Sequence, residues 1–232
     1  MHLPLSNRLL ACIEYVNPGD RVADIGCDHG YLSIYLLKEG IAKSVIASDV
    51  NKLPLQSAMA NAIKYGVKDK INFYQSDGVR SIPREFDVLI CAGMGADTMI
   101  SILEAAPWLK DRQYRLILQC QSRRSALREY LYANGYCIVR ETLAQDGKFI
   151  YPVMEVHYAP GPALTPGGYY ISPALLESHS SLLPAFYERV VSGLRTTVEG
   201  LFHSGSTQRL QKYQAILSEL SEMEEQIYGN RS

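Results

Sequence analysis

Asp24-Ile25-Gly26-Cys27-Asp28-His29-Gly30-Tyr31 stands where a short apolar run, Arg21 to Ile25, gives way to a helix-patterned segment. A glycine turn between a strand and the helix after it, at the switch point of a parallel sheet, is where a nucleotide-like cofactor sits. A dinucleotide fingerprint would place glycines two and five positions after Gly26, and those places hold Asp28 and Tyr31. Nicotinamide and flavin cofactors are thereby disfavoured. The absence of any G-x-x-x-x-G-K-[ST] string excludes a P-loop. Taken alone, the string also reads as no more than a tight strand-to-helix connection.

Its surroundings set the fold class. The apolar runs Arg21 to Ile25, Ser44 to Ser48, Lys70 to Gln75, Phe86 to Ala92 and Tyr114 to Cys120 are separated by helix-patterned segments. Strands alternating with helices imply a parallel sheet covered on both faces. A capped leading helix is expected from Ser6, with Leu9, Leu10, Ile13 and Val16 on one side and a turn at Asn17-Pro18-Gly19. A helix is also expected from Ser122 to about Ala133, ending at Asn134-Gly135. Beyond it, Tyr136 to Glu141 and Phe149 to Tyr158 flank Gln145-Asp146-Gly147, a hairpin signal. The prediction is an α/β chain with a Rossmann-like methyltransferase fold, a mostly parallel seven-stranded sheet with an antiparallel final hairpin.

Pro160, Pro162, Pro166 and Pro173, interleaved with Gly161, Gly167 and Gly168, make a linker or a long ordered loop. Leu183, Tyr187, Val190, Leu194, Val198 and Leu201 then step at helical spacing. After His203-Ser204-Gly205-Ser206 the series Leu210, Tyr213, Leu217, Leu220 resumes, which predicts a C-terminal antiparallel helical hairpin. The expected division is a cofactor-binding domain over 1–160, a linker over 161–172 and a helical, coiled-coil-like domain over 173–232. The hairpin reads either as simple packing or as one wall of a substrate cleft, with Arg189 and Arg195 as contacts.

Three carboxylates close successive strands. Asp49, with Val50 after it, lies about twenty residues past the turn, where an acidic side chain accepts from ribose hydroxyls. Asp77, in Ser76-Asp77-Gly78, can accept from an adenine amine. Asp24 closes the first strand. The fourth strand runs into Ala92-Gly93-Met94-Gly95, small residues that let backbone approach a ligand. Each carboxylate alone reads as a helix cap or turn residue; three on one sheet edge read together as a binding site. The candidate cofactor residues are Asp24, Gly26, Cys27, Gly30, Asp49, Val50, Asp77, Gly78, Ala92 and Gly93.

Composition limits the alternatives. With 23 basic and 24 acidic residues the chain carries no global field toward nucleic acid or membrane, so any RNA contact is a local patch. Cys12, Cys27, Cys91, Cys120 and Cys137 have no C-x-x-C pairing and read as reduced core residues of a cytoplasmic protein. The five histidines lack ligand spacing, so no metal is expected. No targeting segment or membrane span is evident.

The chain resembles the bacterial tRNA (adenine-22-N1)-methyltransferases. The likeness runs through Leu5-Ser6-Asn7-Arg8-Leu9, Ala23 to Tyr31, Ala92-Gly93-Met94-Gly95, Leu116-Ile117-Leu118-Gln119, Leu127-Arg128, Asn134-Gly135-Tyr136 and Ile171-Ser172-Pro173-Ala174-Leu175-Leu176. It implies S-adenosylmethionine as cofactor, tRNA as substrate, methylation of adenine N1, and Asp28 as the catalytic carboxylate. The residues alone leave Asp28 open as a cap for the helix near Gly30. The chain departs from the family in reading Gln119-Cys120-Gln121 where Q-P-N is usual, in placing Ala96 where another glycine is usual, and in its proline-rich insertion.

Adenine N1 lies on the Watson–Crick edge, so the base must be exposed before reaction. Candidate RNA contacts are Arg8, His29, Tyr31, Met94, Arg123 and Arg124, the last two within a basic run of Lys110, Arg112, Arg115, Arg123, Arg124 and Arg128 that also reads as a solvated face. Two other functions compete: a methyltransferase with a different acceptor, and a non-catalytic RNA-binding protein retaining the fold. DNA and membrane partners are not expected.

Overall fold

A computed structural model describes residues 3–204 and 206–229. Strands β1 (Arg21–Ile25), β2 (Ser44–Asp49), β3 (Ile71–Gln75), β4 (Val88–Met94) and β5 (Arg115–Cys120) are parallel, and β6 (Tyr136–Asp146) and β7 (Phe149–Tyr158) close the sheet as an antiparallel pair. The order is β3-β2-β1-β4-β5-β7-β6, the Rossmann-like methyltransferase arrangement expected from the sequence. The strand order, not the chain direction, reverses at β1, whose neighbours are β2 and β4, so the carboxyl ends of these three parallel strands form the crevice where ligands bind.

Alternate residues of each strand supply two cores. Val22, Val45, Val88, Ile90 and Ile117 pack beneath α1 (Asn7–Ile13), α2 (Tyr31–Lys38) and α3 (Lys52–Lys64). Ala23, Ile46, Leu89, Leu116 and Leu118 pack on the other face with α4 (Ala96–Glu104) and α5 (Arg124–Ala133). Burial on both faces explains why these strands read as continuous apolar runs.

One cap and two boundaries differ from the sequence expectation. Ser6 takes the N-cap position of α1, yet its hydroxyl makes no cap bond and is buried without a partner. α5 begins at Arg124, because Arg123 before it is left-handed at φ 53°. β6 continues to Asp146, since its ladder with β7 persists to the Asp146–Phe149 pair.

Beyond the proline-rich segment lie α6 (Pro173–Glu177), α7 (Leu183–Ser204), α8 (Thr207–Glu222) and α9 (Glu224–Tyr228). The expected loop between the long helices includes residue 205, outside the described residues. Near the start of α7, the Tyr187 hydroxyl donates to the carbonyl of Leu220 near the end of α8, so the two run antiparallel. Phe186, Val191, Leu194, Ile216 and Leu220 form a third core that also contains Leu143 and Ile150 of the β6–β7 hairpin. Polar ties join the same parts. Buried Glu141 accepts from Arg128 and from the Ser172 hydroxyl, and Ser172 caps α6 by accepting from the Leu175 amide at 3.0 Å.

Candidate active site

The β1–α2 turn is held by backbone geometry. Gly26 has φ 73° and Gly30 φ 72°, both favouring glycine. The Gly26 and Cys27 amides donate to the carbonyl of Ser48 at 2.8 and 2.9 Å, pinning the turn to the end of β2. Asp28 at φ 49° is left-handed without being glycine, a conformation of the kind that carries strain and gathers at functional sites. Its amide donates to Asp49 Oδ2 at 3.3 Å, while its own carboxylate is 70% exposed. No helix amide among the described residues donates to that carboxylate; α2 is capped at Gly30, so the capping alternative for Asp28 falls.

Two clefts meet at Gly26. The larger, about 520 Å³, is lined by Gly26, Asp49, Val50, Asp77, Gly78 and Met94, and also by Asn51, Ser76, Asp97, Thr98 and Ser101. The smaller holds Arg8, Asp24, Cys27, Asp28, His29, Tyr31 and Ala92. A Cβ on Gly26 would collide with Met94 Cε, and one on Gly78 would stand 2.8 Å from Ile102, so both glycines let the chain pack closely against side chains that line the larger cleft. Asp49 Oδ1 accepts from the Asn51 amide at 2.8 Å. Two amides thus orient this carboxylate and leave it lone pairs for further donors.

Asp24 is 3% exposed and accepts from the Ser33 hydroxyl at 2.6 Å. Burial pushes its pKa up to about 6, against the lowering effect of the Ser33 bond. Burial, with Asp24 and Asp49 nearby, also raises the Cys27 thiol, which stays protonated and is a poor nucleophile. His29 Nε2 stands 3.7 Å from Asp28 Oδ1, and the His29 and Tyr31 rings are 5.9 Å apart.

Several expected residues are placed differently. Gly30 lines neither cleft: a Cβ there would meet Ala58 at 2.9 Å, so it lets α3 pack closely. Gly93 also lies outside both clefts, its amide donating to Gln119 Oε1 at 2.9 Å. Arg8 donates to the same oxygen at 3.1 Å and pairs with Asp146, so it ties α1 to the strand ends. The basic run is not one patch. Arg115 pairs with Asp20 and Glu155, and fully buried Arg128 pairs with Glu141. Arg123 pairs with Asp97, and Arg124 turns toward Phe186. Sequence reasoning missed Asn51, Thr98 and Ser101; the spacing of Asp97, Thr98 and Ser101 after the Ala92–Gly95 string was the available signal. Cys12, Cys27, Cys91 and Cys120 are buried and Cys137 partly so. No group of three or more His, Cys, Asp or Glu among the described residues is placed to hold a metal, and no helix there is long and apolar enough to cross a membrane.

A family profile described as "Methyltransferase domain" matches residues 5–154. The chain belongs to this methyltransferase-domain family. It is similar to the Bacillus subtilis tRNA (adenine(22)-N(1))-methyltransferase, 37% identical over 148 residues, covering 63% of this chain and 62% of that protein. The match therefore spans less than two thirds of that relative's length. The crystal structure of the B. subtilis m1A22 tRNA methyltransferase TrmK aligns with a TM-score of 0.79 at 27% identity, covering 98% of this methyltransferase chain and 99% of TrmK. Streptococcus pneumoniae Sp1610, solved with S-adenosyl-L-methionine, aligns with a TM-score of 0.80 at 28% identity, over 92% of this chain and 99% of that one.

Proposed function

We propose that this methyltransferase transfers the methyl group of S-adenosylmethionine to N1 of an adenine in tRNA, at position 22. The observation that carries the reading is the exposed Asp28 carboxylate, presented by a left-handed turn beside the cleft and tied through its amide to Asp49. The likeness to the B. subtilis enzyme, at the sequence and the fold level, supports the acceptor.

The cleft residues fit the cofactor. Asp49 suits the ribose hydroxyls, Asp77 the adenine amine, and Val50, 57% exposed beside them, offers an apolar face to the ring. At Gly26 and Gly78 the backbone passes so close to the Met94 and Ile102 side chains that line the same cleft that a Cβ would collide with them. Asp24, buried against the smaller cleft, suits a cationic amino group. When bound, S-adenosylmethionine supplies an electrophilic methyl group on a sulfonium.

Asp28 acts on the base. When the methyl group passes to adenine N1, its bond to sulfur would break and S-adenosylhomocysteine leave as the neutral thioether; positive charge then lies on the base and spreads toward the exocyclic amine, and a carboxylate accepting from that amine stabilises the transition state more than the neutral ground state. Asp28 then takes a proton from the product cation. Alignment supplies much of the remaining acceleration. His29 and Tyr31, beside Asp28, are positioned to contact the exposed base.

The decisive experiment is methylation of an unmodified tRNA transcript, with the product base identified by mass and its position mapped by reverse-transcription arrest. N1-methyladenosine at position 22 is the expected product. Another modified base or position would replace the acceptor assignment.

A further inference from the structure

A third cleft, of about 380 Å³, separates the N-terminus of α5 from α7 and α8. Arg124, Arg128 and Ser125 line one side and Phe186, Val190 and Leu194 the other; no residue lining it is acidic. The Arg124 guanidinium lies 5.4 Å from the Phe186 ring centroid, and its hydrogen bond to the Gln121 carbonyl is a long 3.5 Å. Its Nε is buried without a partner, and no carboxylate pairs with it among the described residues. Burial and then repulsion by Arg128 push its pKa below the ordinary arginine value, with Arg189 adding to the repulsion.

Arg128 completes the arrangement. Its side chain is 1% exposed, and although Glu141 and the Tyr169 carbonyl accept from two of its nitrogens, its Nε is also buried without a partner. Arg128 has Glu141 as its counter-charge, whereas Arg124, partly buried and without a carboxylate partner among the described residues, is the costly cation of the two. The first-turn amides of α5 open at the same place, with no side chain capping them, and such amides favour an anion. The cleft also borders the reacting edge. The Gln121 amide donates to the Met94 carbonyl at 2.9 Å, and the Ala96 amide to the Ser122 carbonyl at 3.2 Å.

We propose that this cleft binds a backbone phosphate of the RNA substrate close to the reacting nucleoside, with Arg124 as the charged contact and the α5 amides as neutral ones. The proposal rests on the RNA-methyltransferase reading above. Phe186, Val190 and Leu194 give the adjoining sugar an apolar wall.

The test uses the full chain, S-adenosylhomocysteine and an unmodified tRNA transcript, with affinity measured across a salt series. R124M keeps the side-chain length over Phe186 and removes the charge; R124K keeps the charge. For R124M, transcript affinity is expected to fall about tenfold, and the log–log salt slope to become shallower by about one. R124K should retain most of the slope, and S-adenosylmethionine affinity should not change in either variant. Wild-type affinity and slope in R124M would overturn the proposal. If R124M does not fold, inorganic phosphate is titrated into the unaltered protein while the amide resonances of residues 122–125 and the Arg124 Nε–H are followed. Saturable shifts confined to this cleft support the proposal, and their absence at millimolar phosphate overturns it. Phosphate binding together with RNA affinity indifferent to R124M also overturns it, assigning the cleft to a free anion. The underlying reading fails separately: if the wild type methylates no tRNA adenine while RNA binding still depends on Arg124, the phosphate site stands and the acceptor assignment falls.

Discussion

The backbone amide of Asp28 donates to Asp49 Oδ2 at 3.3 Å, joining the turn after β1 to the end of β2 across the mouth of the cleft. One carboxylate therefore both lines the larger cleft and ties down the turn that presents Asp28. Asp49→Ala is expected to weaken S-adenosylmethionine binding by about 1.5–3 kcal/mol, the range for hydrogen bonds to a charged group. It should also lower turnover at saturating cofactor, because the Asp28 turn loses its tether. Calorimetry and single-turnover rates separate the two effects; unchanged affinity would remove Asp49 from the site.

Asp28→Asn is the clean probe of the chemistry, since asparagine tolerates the left-handed backbone at φ 49° whereas alanine is strained there. With its side chain 70% exposed, the substitution should leave the melting temperature nearly unchanged. Methyl transfer is expected to fall roughly a hundredfold, with cofactor affinity within about tenfold of wild type. Equal turnover would leave Asp28 without a catalytic role.

Asp24 makes the stability of the fold depend on pH. Its carboxyl titrates near 6 in the fold against an ordinary 3.8, so the folded state holds the extra proton in that window. Stability from this group is present at low pH and lost as pH rises from about 4 to about 6, where the buried charge forms. Asp24→Asn should therefore stabilise the ligand-free protein at pH 7, by up to about 3 kcal/mol for a shift near two units. If the ionised carboxylate meets the cofactor's amino group, wild-type affinity falls as pH drops below about 6, and the variant binds weakly at every pH. A wild-type affinity independent of pH between 5 and 7 would exclude that contact.

Glu141 joins α5, β6 and α6 by accepting from Arg128 and Ser172 in a site without solvent. Removing one partner of a buried pair strands the other charge, so Glu141→Ala is expected to cost about 3–5 kcal/mol in a denaturant melt. A chain ended at Tyr170 loses Ser172 and the apolar cover over Leu143 and Ile150, and should aggregate on size-exclusion chromatography. A truncated chain that stays monomeric and binds cofactor would instead make the helices a separable recognition unit.

Much of this protein was legible in one dimension. Apolar runs with period-independent burial, glycine turns and the Gln145-Asp146-Gly147 signal are local properties, and they were sufficient for seven strands, their parallel and antiparallel parts and the edge where Asp24, Asp49 and Asp77 gather. The left-handed backbone of Asp28 and Arg123 was not legible, because non-glycine residues adopt it only when surrounding contacts over-determine them. Nor was the fate of the basic run. Lys110 to Arg128 reads as one patch, yet the partners that divide it, Asp20, Glu141, Glu155 and Phe186, are distant in sequence. The order of elements and the chemistry of the turn follow from local residue patterns alone. Which charges are neutralised, and which, like Arg124, have no carboxylate partner among the described residues, was settled by the folded chain, because ion pairing and desolvation depend on long-range neighbours that local patterns do not encode.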